Sequence, residues 1–365
     1  MDKIRVLLAT ALRFDRRTSM DLYHAELENE LRRFSDVLDV KSIRPPTSSH
    51  PGYVERKYVR YVAYAQKIKE AIRKGGGKPI LHVTDQDYAY LCRKDIPSVV
   101  TCHDIAEYKV PSLSKIRFML WRRRIKGMKN AQKIVAVSMR TAEDISESLG
   151  ISPSRVVVNY EGIGSHFRPV PINSIGWKAA QLEGLKKNYC LLMHVGSNIR
   201  RKNIPVLMMA VTVLKQRGIP VKLVKVGNNL YDDGYGPAIA EMKLDNDIIQ
   251  LGRVTEQELV ELYNTCDVFL FPSKYEGFGR PLIEAQACGI PCIVSNSSCL
   301  REIGGEGAAY HDADDPEEIA DNCLRILTDS SFKQTLIIKG QTNARKYTPE
   351  QHAIGLVEIY KSVLS

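Results

Sequence analysis

Short apolar runs rich in Val, Ile and Leu alternate along the chain with longer stretches of mixed polarity. In the first half these runs predict strands at 4–9, 79–83, 98–102, 133–137 and 155–159. The stretches between them predict helices at about 20–35, 56–74, 114–130 and 141–149. Buried strands separated by helices are typical of parallel sheets that are covered on both faces. The pattern therefore predicts a doubly wound α/β domain.

The alternation lapses over 161–187, which contains prolines and shows no clear apolar period, and then it restarts. The second half predicts strands at 189–195, 221–226, 247–251, 267–271 and 291–295, and helices at about 203–217, 255–264 and 281–288. A capped helix is expected to start at Asp315, and 331–364 is expected to be helical throughout. Because 365 residues are long for one core, we expect two domains, 1–170 and 171–345. We expect 346–365 to be a helix that crosses back to the first domain.

The composition is that of an ordinary soluble globular protein, with 44% hydrophobic and 26% charged residues. No run of about 18 apolar residues occurs, and the start MDKIRVLLAT leads straight into a strand. We therefore expect neither a spanning helix nor a signal peptide. The eight cysteines are scattered, which favours reduced, packed thiols and a cytoplasmic location over a metal site.

The net charge of +10 is unevenly distributed. Residues 1–170 hold 31 Lys and Arg against 19 Asp and Glu, whereas the remainder holds 21 against 23. Two predicted helices, 56–74 and 115–133, interleave cations with apolar residues. They fit either a peripheral contact with the anionic inner face of a membrane or ordinary amphipathic helices with a solvated basic face. No recognition motif accompanies the charge, so nucleic-acid binding is not expected.

The segment SKYEGFGRPLIEAQACGIPCIVS, 273–295, combines a strand end, an acidic glycine loop and a helix start. Gly277 and Gly279 remove side-chain bulk, so backbone N–H groups can approach an anion at the positive end of the helix. Glu276 and Glu284 would repel phosphate, but they can accept hydrogen bonds from sugar hydroxyls. The alternative interpretation is a helix cap and a surface glutamate.

The spacing Glu276-x7-Glu284 within this segment resembles the signature of the family 4 retaining glycosyltransferases, which have the GT-B fold. Other segments match that family in order, namely VTCHD (100–104), AQKIVAVSMRTAEDI (131–145), VGSNIRRKN (195–203) and LGRVTEQELVELYNTCDVFLFPS (251–273). The resemblance covers nearly the whole chain and is strongest over 189–328. It implies two Rossmann-like doubly wound domains that face a central cleft, with a helical C-terminal tail.

The resemblance assigns the acidic segment to a nucleotide-sugar donor. It implies that Glu284 binds the ribose hydroxyls and that Glu276 lies near the transferred sugar. Gly277, Phe278 and Gly279 would present backbone amides to the sugar and the phosphates.

A basic pair that neutralises the diphosphate is implied in the loop that opens with Gly196. Lys202 matches the lysine of that pair, but Ser197 stands where the family usually has the arginine. Either Arg201 or Arg200 could take its place, and the departing diphosphate needs at least one cation there. A solvated basic loop is the alternative.

Four further residues are candidates on the donor side. His103 follows a predicted strand, where the family often has a histidine close to the donor sugar. Arg253 and Val254 would border the nucleotide base through backbone contacts. Ser138 is a candidate donor contact and equally a candidate helix cap.

The residues that contact the acceptor cannot be inferred from the family, because ATALRFDRRTSMDLY replaces the usual Gly-Gly turn after the first strand. Arg16, Arg17 and Ser19 could meet an anionic acceptor or cap the following helix. The DxD patterns Asp85-Gln86-Asp87 and Asp312-Ala313-Asp314 lack the expected strand context, so neither a metal nor another cofactor is expected.

The resemblance implies a retaining hexosyltransferase that moves mannose or a glucose-type sugar from a GDP- or UDP-sugar to a glycan or lipid-linked acceptor, without a metal. The implied mechanism is front-face attack, with Glu276 organising the sugar. Alternatives are a non-catalytic nucleotide-sugar-binding partner subunit and a sugar-nucleotide epimerase of the same fold. A dehydrogenase is excluded, since no GxGxxG follows either opening strand.

Overall fold

The computed structural model describes residues 3–11, 18–46, 52–74, 78–171 and 176–364. The chain divides into two compact units. Unit 1 comprises Met1–Gly162 and Pro349–Ser365, and unit 2 comprises Ile163–Thr348. The contacts considered for Arg16, Arg17 and the Ser19 side chain lie outside the described residues.

Unit 1 contains a six-stranded parallel sheet in the order β2-β1-β3-β4-β5-β6. Its strands are β1 (Ile4–Ala9), β2 (Leu38–Ile43), β3 (Ile80–Val83), β4 (Ser98–Cys102), β5 (Lys133–Ala136) and β6 (Val156–Val158). Its helices are α1 (Thr18–Arg32), α2 (Tyr53–Tyr58), α3 (Tyr64–Arg73), α4 (Ala106–Lys109), α5 (Lys115–Ile125) and α6 (Met139–Leu149). A π-helical turn, Val59–Ala63, joins α2 to α3.

Unit 2 repeats this plan with the order β12-β11-β10-β7-β8-β9, again parallel. Its strands are β7 (Cys190–Gly196), β8 (Val221–Gly227), β9 (Ile248–Gly252), β10 (Val268–Phe271), β11 (Cys292–Ser295) and β12 (Ala308–His311). Its helices are α7 (Trp177–Leu185), α8 (Ile204–Gln216), α9 (Gly236–Glu241), α10 (Glu256–Thr265), α11 (Arg280–Cys288), α12 (Leu300–Gly304), α13 (Pro316–Thr328) and α14 (Ser330–Ala344).

The last helix, α15 (Pro349–Leu364), packs within unit 1. Ala353, Leu356 and Tyr360 are fully buried and share one apolar cluster with strand residues of β1, β3 and β4. The Tyr360 hydroxyl lies 2.6 Å from Nδ1 of His82 on β3. The end of the chain therefore completes the core of the unit that contains its beginning.

The predicted doubly wound α/β architecture is confirmed, and the departures from it have local causes. The predictions missed β2, because it is an edge strand with only its terminal residues buried and hence no continuous apolar run. They also missed β12 and α7. The tail is not helical throughout, since α14 ends at Ala344 and Pro349 opens a new helix. Proline suits a first helical turn and cannot continue the preceding helix.

Across the described ranges, none of the helices combines the length and the apolar character needed to cross a bilayer.

Candidate active site

The candidate site lies where the strand order of the unit 2 sheet reverses. Successive strands run from β7 to β8 and β9 on one side, and from β10 to β11 and β12 on the other. The loops that follow β7 and β10 therefore leave neighbouring strands at the same edge of the sheet. Open α/β sheets bind ligands at such a reversal, outside the carboxyl ends of the strands. The first loop carries Arg201 and Lys202, and the second carries Glu276.

Glu276 forms ion pairs with both of these cations. Arg201 Nη1 donates to Oε2 at 2.5 Å, and Lys202 Nζ donates to Oε1 at 2.6 Å. Burial alone would raise the pKa of Glu276, but Arg201 and Lys202 outweigh it and lower that pKa to about 2. The carboxyl group is therefore ionised throughout the physiological range.

The glycine loop is held in place by the turn that follows β11. Ser298 Oγ donates to the Glu276 carbonyl at 2.7 Å, and the Cys299 thiol contacts the same oxygen at 3.2 Å. Gly279 has φ of +92°, and a Cβ there would lie 3.0 Å from Leu300 Cδ2. Because an L side chain would be strained in this conformation, glycine is required where the loop enters α11.

The loop after β7 is fixed in a similar way. Asn203 adopts the left-handed conformation, with φ of 57°, which asparagine tolerates better than most residues. Its side-chain amide donates to the carbonyls of Pro272, at 3.2 Å, and Ala313, at 2.5 Å. Of the two candidate arginines, Arg201 contacts Glu276, whereas Arg200 is exposed. Arg201 is thus the arginine that the fold places beside Lys202.

Glu284 lies on α11, a turn beyond its start. It is buried, and its Oε2 accepts a hydrogen bond of 3.2 Å from the Tyr263 hydroxyl. Arg280 Nε lies 3.7 Å from the other carboxylate oxygen. The N–H groups of Phe278 and Gly279, just before the helix, donate to no group among the described residues. The Phe278 ring is buried and contacts Tyr347 edge-on. Only its backbone is left to serve a ligand.

His103 in unit 1 follows β4 and is buried. Nδ1 lies 2.6 Å from Glu161 Oε1, and Nε2 lies 2.9 Å from the Thr84 carbonyl. Burial would lower the pKa of His103, but the Glu161 carboxylate outweighs it and raises that pKa. Both ring nitrogens are therefore engaged within unit 1. Contact between His103 and a donor sugar stays a prediction.

The remaining predicted positions are dispersed. Ser138 caps α6, since its Oγ accepts a hydrogen bond of 3.1 Å from the Thr141 backbone N–H. The helix-cap prediction for Ser138 is therefore confirmed. Gly196 ends β7 and Ser197 directly follows it. Arg253 and Val254 follow β9, the edge strand of the sheet.

The two DxD patterns serve turns and caps in the structure. Asp85 accepts from the Asp87 backbone N–H, and Asp87 accepts from the indole of Trp121. Asp312 accepts from the Asp314 backbone N–H. Within the described ranges, no group of three or more His, Cys, Asp or Glu side chains is arranged to hold a metal ion.

Three residues that lie near these positions were not predicted from the sequence. Glu161 gave no signal, because it lies in a segment without an apolar period. His194 and Lys225 did give one, since His194 interrupts the otherwise apolar β7 and Lys225 is one of two lysines among the apolar residues of β8. Both are fully or almost fully buried. Lys225 Nζ donates to the carbonyl of Gly196, at the root of the loop that carries Arg201 and Lys202.

Comparisons with known families match both halves of the chain. Residues 11–165 match the model described as Glycosyltransferase Family 4, and residues 177–343 match that of the glycosyl transferases group 1. The serotype-specific mannosyltransferase WbdA of Escherichia coli is 27% identical over 272 residues, or 69% of this chain. This chain spans about a third of that relative, 32% of its length. The E. coli O-antigen chain mannosyltransferase B is 26% identical, over 74% of this chain and 72% of its own.

Solved structures agree on the fold. Sucrose-phosphate synthase from Thermosynechococcus elongatus superposes with a TM-score of 0.81, at 18% identity and over 99% of both chains. Anabaena Alr3699/HepE, solved with UDP and glucose, gives 0.76 at 15% identity, over 99% of this chain and 100% of its own. The two family models together account for most of the chain, and these neighbours share its two-unit GT-B fold. The chain therefore belongs to the group 1 glycosyl transferases, of the family 4 type.

Proposed function

We propose that the protein is a retaining hexosyltransferase that uses a nucleotide-diphosphate sugar. The observation that carries the proposal is the buried contact of Glu276 with Arg201 and Lys202 at the strand-order reversal of unit 2. Two cations there can bind the diphosphate of a donor and stabilise the negative charge that develops on it as it leaves. Unit 2 would bind the donor, and unit 1 would bind the acceptor.

The charge state of Glu276 supports a particular role. A carboxyl group with a pKa of about 2 is too weak a base to exchange protons efficiently near neutral pH. It remains an anion, which suits hydrogen bonds to sugar hydroxyls and stabilisation of positive character at the anomeric carbon. In this proposal the acceptor attacks from the face that the diphosphate leaves. Glu276 forms no covalent intermediate, and the leaving phosphate takes the acceptor's proton.

The start of α11 supports the binding of the rest of the donor. The N–H groups of Phe278 and Gly279 lie at the positive end of the helix, where phosphate oxygens are favoured. Glu284, buried and fixed by Tyr263, can accept hydrogen bonds from ribose hydroxyls. Neither role requires a metal or another cofactor.

The relatives favour mannose as the sugar, because WbdA and the O-antigen mannosyltransferase B are named mannosyltransferases. A UDP-sugar is the second candidate, since HepE was solved with UDP and with UDP-glucose. A screen of thermal stabilisation by GDP-, UDP- and ADP-sugars discriminates between them, because stabilisation follows affinity.

The test of the activity is transfer from the stabilising donor to a glycan or lipid-linked acceptor, with the anomeric configuration read by NMR. We expect retention and full activity in EDTA. The Lys202→Met variant should lose donor stabilisation, whereas Lys215→Met, which changes an exposed lysine of the same unit, should not. Inversion of configuration, or equal donor stabilisation of both variants, contradicts the proposal.

We further propose that unit 1 contacts an anionic membrane surface, where a lipid-linked acceptor would be found. On α5, Trp121 and Ile125 face the core, while Ile116, Met119 and Leu120 are 73%, 69% and 58% exposed. Their spacing places these three apolar side chains on one face of the helix. The surrounding segment, 115–133, contains eight cations and no acidic residue. Apolar side chains among cations are typical of helices that lie on anionic bilayers.

The second basic segment, 56–74, supports the same surface. Tyr58 and Tyr61 are 54% and 46% exposed there. Tyr61 contacts Tyr90, which lies in the turn Gln86–Leu91 that packs against α5. Flotation with phosphatidylcholine vesicles, with and without phosphatidylglycerol, tests the surface. We expect binding only with the anionic lipid, and its loss in Met119→Ser/Leu120→Ser but not in Ile338→Ser, an exposed control on unit 2. Equal flotation with both lipids would remove the membrane from the proposal.

A further inference from the structure

Two polar side chains interrupt the centre of the unit 2 sheet. His194 on β7 and Lys225 on β8 are partners in the strand register, so they lie side by side on one face. Lys225 is only 1% exposed. Strands of a parallel sheet that is covered on both faces are normally apolar, and an isolated buried ammonium group is unfavourable. These two residues therefore require an explanation beyond packing.

The ammonium group of Lys225 is surrounded by backbone carbonyls. Nζ donates to Gly196 at 2.6 Å, to Val226 at 3.0 Å and to Asn228 at 3.4 Å. Among the described residues, no carboxylate forms an ion pair with Lys225. Gly196 and Gly227 are register partners, and a Cβ on Gly227 would lie 2.2 Å from the Gly196 carbonyl oxygen. Two strand ends thus converge so closely that their carbonyls share one cation.

A second contact ties the same two loops together. Asn198, two residues after Gly196, donates through Nδ2 to the carbonyls of Asn228 and Asn229 at 3.1 and 3.0 Å. The same group contacts the Asp233 carboxylate at 2.9 Å. The loop that carries Arg201 and Lys202 is therefore anchored at its root to the loop after β8.

Lys225 also changes the charge of the site. Glu276 contributes one negative charge, and Arg201 and Lys202 contribute one positive charge each. Lys225 adds a third positive charge next to their loop. His194 does not alter this balance. Its Nδ1 lies 3.0 Å from the Leu270 carbonyl, and burial together with Lys225 lowers the pKa of His194 to about 3, so the ring is neutral. Its Nε2 has no hydrogen-bond partner among the described residues.

We infer that Lys225 is a positioning residue of the diphosphate subsite. It orients the loop of Arg201 and Lys202 through the Gly196 carbonyl. It also supplies buried positive charge, which the nearby Asp233 carboxylate offsets only in part and which an anionic ligand would balance. The inference rests on the proposed function, because it deepens the account of the same donor site. It adds a residue on β8, behind the loop, to those that determine affinity for a nucleoside diphosphate.

The protonation of Lys225 supplies a measurable consequence. Burial lowers the pKa of Lys225 to about 8; the nearby Asp233 carboxylate partly opposes this, and Lys202 adds to it. His194, the neighbour on β7, stays neutral. Below about pH 8 the ammonium is intact, and above it the charge is lost. Since a bound anion favours the charged form, binding near pH 8 must take up a proton at Lys225.

The experiment is titration calorimetry of the full chain with UDP, GDP, ADP and inorganic pyrophosphate near pH 8, in two buffers of different ionisation enthalpy. We expect net proton uptake by the wild type and affinity that falls as the pH rises. Lys225→Met should bind roughly tenfold more weakly at pH 7 and show no proton uptake. Lys222→Met is the matched control. Lys222 lies on the same strand, but at its amino-terminal end, where its ammonium group pairs with Asp247. It should behave as the wild type does.

The outcomes separate the two proposals. If the wild type binds a nucleoside diphosphate without proton uptake, or if Lys225→Met binds it equally well, Lys225 has no such role and the proposed function stands. If no nucleotide or pyrophosphate binds the wild type, the proposed function fails and the role of Lys225 fails with it. Proton uptake by the wild type needs no variant, so a misfolded Lys225→Met cannot leave the inference undecided.

Discussion

Glu161 in unit 1 and Glu276 in unit 2 are buried carboxylates that contact basic side chains beyond the carboxyl ends of the strands, but the two clusters are built differently. In unit 1, Glu161 meets a single histidine, and the second nitrogen of His103 is satisfied by the Thr84 carbonyl. In unit 2, Glu276 meets two cations, and Lys225 adds a third beneath the loop.

The difference lies in the balance of charge. A protonated histidine paired with a glutamate is neutral overall, and both ring nitrogens of His103 have hydrogen-bond partners within unit 1. Both features are expected of a structural pair. The unit 2 cluster carries more positive than negative charge in a buried setting, which is unfavourable unless an anion binds there. Net charge, rather than the presence of ionised groups, therefore distinguishes the Glu276 cluster, which is the proposed donor site, from the His103–Glu161 pair.

The largest effect is expected for Glu276→Gln, which removes the negative charge from the unit 2 cluster. We expect kcat for sugar transfer to fall roughly 100- to 1,000-fold, because the anion that is proposed to stabilise the sugar is removed. Affinity for free nucleoside diphosphate should not fall, since Arg201 and Lys202 remain to bind it. Steady-state kinetics and calorimetry measure the two quantities. The control is Glu306→Gln, which changes an exposed carboxylate of the same unit. Unaltered turnover would show that Glu276 has no part in the reaction.

Glu161→Gln should act on stability instead. Breaking a buried pair is expected to lower the free energy of unfolding by about 3 kcal/mol at neutral pH. The raised pKa of His103 sets the sign of the pH dependence. The stabilisation is complete below about pH 6.5, the usual pKa of an unfolded histidine, and is lost as pH rises through the raised value. Denaturant unfolding across that range should show this loss in the wild type and not in the variant.

The same variant tests whether His103 contacts the donor. If the pair is structural, the KM for the donor and kcat should stay within about twofold of the wild type at temperatures where the variant is folded. A large fall in kcat without loss of stability would instead place His103 at the reacting sugar.

Glu284→Gln is expected to have a smaller effect that is confined to binding. An amide still accepts a hydrogen bond from a ribose hydroxyl, but more weakly than a carboxylate does. We expect the KM for the donor to rise about tenfold with kcat nearly unchanged, the pattern of an interaction made equally in the ground state and the transition state. A 2′-deoxyribose donor should remove the difference between the variant and the wild type. If the difference persists with that donor, Glu284 does not bind this hydroxyl.

The smallest effect is expected for Ser138→Ala, which removes the cap of α6. Loss of such a cap lowers the free energy of unfolding by about 1 kcal/mol. Thermal unfolding measures this loss, and donor KM should be unchanged. A changed KM would assign Ser138 to the donor site as well as to the helix.

Much of the architecture could be predicted from the chain alone. Strands that are buried on both faces, such as β5 and β10, appear as continuous apolar runs, and the glycines at 277 and 279 mark the loop before α11. Elements that depend on their surroundings were missed. The edge strand β2 lacks such a run, and the break before α15 follows from Pro349 rather than from polarity.

The sequence by itself determined the periodicity, the family signature and the residue types of the site, because these are local properties of the chain. Only the tertiary structure decided the partners. Arg201 rather than Arg200 contacts Glu276. His103 pairs with Glu161, and Lys225 bonds to the carbonyl of Gly196 at the start of the loop after β7. These contacts join residues 29 to 75 positions apart. Their formation depends on strand order and loop conformation, which no local pattern specifies.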